Sequence, residues 1–230
     1  MNADVFLYFI FITVKLLFFN SIIDGTGIVN IPLIASVIGT VLLLVFWAGL
    51  LPRKARLLLL FILDCAVTFI IIADLLFFRY FSDVLSMPVL AQASVVTSVK
   101  SSILNLLHAS DLIFAVDLLL LPFVSVKAGR LNKKRKAGFG KRIICALSAF
   151  IIGIGLCSYG VSELLKTQPE IFKSFYDRVY IVQNIGLLGF HGIDAFQYVK
   201  SMDKSELSVS EDIKKEIAEF IKEKKSEQPS

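Results

Sequence analysis

The chain has 230 residues, of which 56% are hydrophobic, 12% aromatic and 19% charged, with a formal net charge of +5 and a mean hydropathy of +0.76. Soluble domains sit at about 45–50% apolar with about a quarter of residues charged, so an ordinary soluble fold is excluded. The apolar excess falls in blocks of roughly 17–25 residues, the length that crosses a hydrocarbon core of about 30 Å. The basic residues cluster between those blocks, which argues against nucleic acid and for topology signals that also meet anionic headgroups.

The predicted first span is 5–19. It lacks a basic leader and a small-residue cleavage site, and Lys15 interrupts it, so it reads as a retained helix and not a cleaved signal peptide. The loop NSIIDGT has no basic residue and is expected outside. The second span, 28–51, carries Pro32 in its first turns, where a missing N–H costs little, and ends at Arg53, Lys54 and Arg56. The third span is 57–78 and closes on the aromatic run FFRYF. The segment 80–111 mixes apolar and polar residues at helical spacing and is expected to lie along the membrane surface. The fourth span is 112–126.

Between it and the fifth span, 143–161, lies KAGRLNKKRKAGFGKR (127–142), with eight Lys or Arg and no acid. Lysine and arginine resist translocation, so this loop is assigned to the cytoplasm. Five spans then place the amino terminus inside and the carboxyl terminus outside. Residues 1–161 form the transmembrane domain, and 162–204 are expected as extracellular juxtamembrane helices. In 205–230, Ser208 and Glu211 match a capping box, and Ile213, Ile217, Phe220 and Ile221 make a narrow apolar stripe on a charged helix. That helix reads as a linker towards a further domain. The fold class is all-α: a polytopic membrane protein with five transmembrane helices, extracellular interfacial helices and a C-terminal amphipathic linker helix.

Ionisable groups at membrane depth are costly and are functional candidates by default. Lys15, Asp74 and Asp117 are the candidates for intramembrane ion pairing, with Lys15 expected to pair with one of the two aspartates. Asp64, nearer the middle of the third span, has no evident basic partner in the sequence and is expected protonated or hydrogen-bonded within the bundle. The small residues Ala149, Gly153 and Cys157 in the fifth span, and Ala35 and Gly39 in the second, allow close helix approach. Cys65, Cys145 and Cys157 all lie in apolar runs, with no metal or disulfide spacing. There is no Walker loop, HExxH or GxSxG, and two histidines are too few for a histidine-rich metal site. Arg79 and Asp83 lie four apart, on one face if that stretch is helical. Arg178, His191 and Asp194 gather in the second outside segment. With Tyr80, these residues form a candidate contact for a lipid headgroup or a catalytic domain, with donors for a phosphate; capping and pairing among the outer helices is the competing reading.

The stretches FFRYFSDVLSMPVLAQ, ASDLIFAVDLLLL and YDRVYIVQNIGLLGFHGID resemble the membrane portion of lipoteichoic acid synthases, phosphoglycerol transferases of Gram-positive bacteria with a sulfatase-like extracellular domain. The resemblance runs from Val5 to about Phe220. It rests on Arg79, Tyr80, Phe81, Asp83 and Pro88, and on Arg178, Gly186, Leu187, Phe190, His191 and Asp194. It implies transfer of glycerol phosphate from phosphatidylglycerol onto a growing glycolipid-anchored chain outside the cell. A threonine nucleophile and a divalent metal, usually manganese, would act in the extracellular domain. No catalytic residue, metal ligand or cofactor is expected in this chain. The expected partners are phosphatidylglycerol, other membrane lipids and the protein's own sulfatase-like domain. A stand-alone membrane scaffold and a small transporter using Lys15, Asp64, Asp74 and Asp117 are the alternatives.

Overall fold

The computed structural model describes residues 3–25, 30–91, 105–121, 138–174 and 176–202. Among them are helices and turns and no strands. α1 (Ala3–Asp24) is apolar nearly all round and runs through Asn20–Asp24, where the sequence predicts a loop. α2 (Ile31–Val45) starts where the Asn30 side chain accepts the Leu33 amide at 2.7 Å, with Pro32 in the first turn. Both features suit an N-terminus, whose first amides lack helical partners. A 3₁₀ turn, Phe46–Leu50, continues it. α3 (Arg53–Phe81) is 29 residues long and stops at Ser82. Ser82 takes a left-handed conformation at φ 55° and returns its amide to the Phe78 carbonyl. A short α4 (Met87–Ala91) follows, then a 3₁₀ helix, Ala109–Ala115, and helical residues 116–121. α5 (Phe139–Thr167), α6 (Ile171–Ser174) and α7 (Arg178–Ile185) complete the itinerary to Gly186.

Among the described residues four helices are long and apolar enough to cross a membrane: Asp4–Asp24, Ile31–Leu50, Arg53–Phe81 and Gly140–Thr167. The protein is a multi-pass membrane protein. The predicted fourth span is described only as far as Leu121, and there it is 3₁₀ over Ala109–Ala115 before turning helical. The rest of that span, most of the basic loop and the whole of 205–230 lie outside the described residues, as does 92–104 of the predicted surface segment.

Directions follow from side-chain partners. Asp4 meets Arg56 and Lys15 meets Asp64, so α1 and α3 run parallel. Gly39 packs on Gly153 and Cys157, and Ser36 on Gly160, so α2 and α5 are antiparallel. A Cβ on Gly39 would come within 2.8 Å of the Gly153 carbonyl oxygen, so this seam requires glycine for a close backbone approach. Ser36 also lies in the seam, against Gly160, and Gly39, Gly153 and Cys157 contribute as expected. Tyr8, Ile12 and Phe19 of α1, Val37 and Val41 of α2, and Leu60, Ile71 and Leu75 of α3 form the buried core. Leu58, Phe69, Ile144 and Ile151 are exposed, the outward apolar face that a lipid solvent requires.

The chain divides into two compact units, Met1–His191 and Gly192–Ser230. In the second, residues 192–202 are helical.

Candidate functional site

At the end of the bundle where α3 finishes, two arginines and a histidine meet three aspartates. Arg79, in the last turn of α3, makes a two-pronged contact with Asp111, at 2.6 Å from Nη1 and 2.7 Å from Nη2. Nη1 also donates to the Leu106 carbonyl at 2.8 Å. Asp111 in turn accepts the His108 amide at 2.9 Å, closing a capping box at the start of the 3₁₀ helix. Those bonds, the Arg79 ones foremost, hold the Asp111 carboxyl below its ordinary range. The fork geometry matches a carboxylate with two parallel bonds, which a lysine could not reproduce.

The second pair is Arg178, the first residue of α7, with Asp83. Asp83 also accepts the Val84 amide at 2.8 Å, and Asp177 caps α7 by accepting the Tyr180 amide at 2.8 Å. The third pair is His191 with Asp74, Nε2 to Oδ2 at 2.8 Å. The other oxygen of Asp74 accepts the Leu85 amide at 3.0 Å. Residues 82–86 are thereby tied to α3, with Val84 and Ser86 both buried. Gly186 turns the chain between α7 and His191 at φ 77° and ψ 161°, a region open essentially to glycine alone. Its missing side chain also leaves room for Val37, whose Cγ2 would lie 2.6 Å from an added Cβ.

Access differs among the pairs. The Arg178 and Asp83 side chains are 29% and 34% exposed, whereas Asp74 is 1% exposed beneath His191. Tyr80 is exposed beside this end and sits edge-on to Phe81 at 4.6 Å between ring centroids. The structure thus brings together Arg79, Asp83, Arg178 and His191, with Tyr80 beside them. It does not pair Arg79 with Asp83 along one helical face, because α3 ends at Phe81 and the left-handed Ser82 turns Asp83 away from that face. Asp194 falls in the second unit. Asp111 went unnoticed as a site residue in the sequence; its capping position after His108 was the available signal.

A second charged cluster lies at mid-bundle. Lys15 Nζ is 2.8 Å from Asp64 Oδ1, 2.7 Å from Asp117 Oδ2 and 2.6 Å from Thr68 Oγ1. Asp64, for which no basic partner was evident in the sequence, shares Lys15 with Asp117. Asp74 belongs instead to His191, because the parallel register of α1 on α3 puts Lys15 level with 64–68 and about a turn and a half or more short of Asp74. At the opposite end, Arg56 Nε donates to Asp4 Oδ2 at 2.7 Å, both groups being buried. Among the described residues no three His, Cys, Asp or Glu side chains group to hold a metal ion, so those residues offer no site for manganese and no step runs through one.

A family model described as the lipoteichoic acid synthase N-terminal domain matches residues 3–207. Among curated relatives, lipoteichoic acid synthase 2 of Bacillus subtilis (strain 168) is 27% identical over 207 residues, covering 89% of this chain and 30% of the relative. Lipoteichoic acid synthase 1 of the same strain is 27% identical over 174 residues, covering 74% and 26%. The lipoteichoic acid synthase of Staphylococcus aureus (strain USA300) is 23% identical over 162 residues, covering 70% and 24%. The chain therefore spans less than a third of the length of these relatives. No solved structure matches it. With the family model covering most of the sequence, and membrane-crossing helices throughout, the chain belongs to the lipoteichoic acid synthase N-terminal domain family.

Proposed function

We propose that this chain anchors a lipoteichoic-acid-synthase-like glycerol phosphate transferase in the membrane and positions its lipid substrate, phosphatidylglycerol. The observation that carries the reading is the Arg178–Asp83 pair, the most open of the three pairs that tie residues 74–83 to other segments at one end of the bundle. A phosphodiester presents the same paired oxygens as a carboxylate. A headgroup can therefore take the place of Asp83 on the guanidinium without exposing a buried charge. Tyr80 and Phe81 beside it suit the interface, where amphipathic rings collect.

In this reading the Arg178 end faces outward, and the end bearing Arg53, Lys54 and Arg56 faces the cytoplasm, following the bias of basic residues towards that side. The chemistry belongs to a sulfatase-like extracellular domain carried beyond the second unit. Tethering that domain to the bundle raises its effective concentration at the lipid surface. This chain's own residues do three things: they bind the phosphate, hold its orientation through Arg178, and keep residues 82–86 fixed through Asp74.

The test uses a complete enzyme carrying Arg178→Ala or Arg178→Lys. Polymer made per enzyme molecule should fall at least tenfold with alanine and recover in part with lysine, while enzyme abundance stays near normal. Equal losses of polymer and protein would make Arg178 a structural residue and remove the headgroup role.

A further inference from the structure

We propose that Lys15, Asp64 and Asp117 form a proton-binding site in the membrane interior, holding one proton on the two carboxyl groups in addition to those of the lysine. The proposal is independent of the headgroup reading. Three elements supply the groups: Lys15 from α1, Asp64 and Thr68 from α3, and Asp117 from the helical residues 116–121. Among the described residues, Cys65, adjacent to Asp64, is a further titratable neighbour.

The ammonium donates to Asp64 Oδ1 at 2.8 Å and to Thr68 Oγ1 at 2.6 Å. Thr68 spends its own hydrogen on the Asp64 backbone carbonyl at 2.8 Å. Asp64 Oδ2 is buried in a side chain with 0% exposure and has no hydrogen-bond partner among the described residues. Asp117 Oδ2 lies 2.7 Å from the ammonium as a charge contact and likewise has no hydrogen-bond partner among the described residues.

The charges do not balance. One cation faces two carboxylates, and a net charge held in a low-dielectric interior is neutralised in preference to being kept. A hard metal ion would need about six oxygen ligands, and among the described residues only two unpartnered carboxylate oxygens lie at this lysine. A proton needs one. Its binding forms a single O–H bond, with the proton drawn from water, and leaves Lys⁺, one carboxylate and one carboxylic acid. The two aspartates then titrate as a pair, and the proton belongs to both.

Infrared spectroscopy of the chain in lipid nanodiscs at neutral pH tests this. The unaltered protein should show the C=O stretch of a buried carboxylic acid, shifted in heavy water. Asp64→Asn and Asp117→Asn should each abolish that band, because the remaining carboxylate then pairs with Lys15. Each amide has the size and charge of the acid it replaces, so both single variants should melt close to the unaltered protein. The double Asn variant strands Lys15 and should melt well below. Absence of the band, its persistence in both single variants, or failure of both to fold would each overturn the proposal.

Discussion

The two charged regions of the bundle solve opposite problems. At mid-membrane a single lysine serves two aspartates, with Lys15, Asp64 and Asp117 no more than 6% exposed by side chain. At the end of α3, two arginines and a histidine face three aspartates one to one, and exposure rises to about a third at Asp83. Water reaches the second region and not the first. A charge buried without water is held there only by its partner, so removing either partner is severe. A charge with water at hand can exchange one partner for another at little cost. The contrast separates a cluster that joins helices from the half-exposed Arg178–Asp83 pair, which in the proposed function opens for an anionic headgroup.

The strongest challenge to that contrast is Lys15→Met. Two carboxyls would lose their cation in the membrane interior, and a loss of about 3–5 kcal/mol is expected, read as the drop in unfolding free energy in nanodiscs. A loss below about 1 kcal/mol, the range of solvated pairs, would erase the distinction between the regions. Next comes Gly186→Ala, which forces an alanine into a glycine-only conformation and drives its Cβ onto Val37. About 2–4 kcal/mol is expected. Phosphatidylglycerol binding should weaken with it, since the turn sets His191 and α7 in place.

Arg79→Ala should cost about 2 kcal/mol, because Asp111 loses a charge-assisted pair of bonds while staying buried. The pH dependence sharpens this. The folded Asp111 carboxyl is held below its usual range by Arg79, so the pair stabilises fully above the unfolded value of about 3.9. That contribution is lost as pH falls through the depressed folded value. The gap between parent and Arg79→Ala should therefore be widest near neutrality and narrow in acid. A gap that stayed constant with pH would show that packing, not charge, is lost. The smallest stability effect belongs to Arg178→Ala, at or below about 1 kcal/mol, even as lipid handling suffers.

Much of this architecture was legible in the sequence, for a physical reason. The hydrocarbon core demands long apolar runs, so hydropathy alone locates α1, α2, α3 and α5. Caps were harder to place: the sequence stops the first span at Phe19, yet Asn20–Asp24 continues the helix, because Asn20 is buried in the bundle and the chain has no breaker before Gly25. The charged partners were legible only as a short list of candidates. Depth along each helix says that Lys15 must find an aspartate, but the choice depends on the vertical offset between two helices, which no single helix reveals. Asp4 and Arg56 carry that offset, at a separation of 52 residues, close to the separations of 49 and 53 from Lys15 to Asp64 and Thr68. The pairs at the end of α3 were legible only as single residues, Asp111 not among them. Arg79 with Asp111 and Arg178 with Asp83 join segments 32 and 95 residues apart, a pairing that only the assembled fold selects.

Two rungs join α1 to α3, one at Asp4–Arg56 and one at Lys15. A single rung would leave α1 free to swivel about it; two, about three helical turns apart, remove both swivel and slide. The register of α1 on α3, the helix that ends at Ser82, is thereby pinned at two depths.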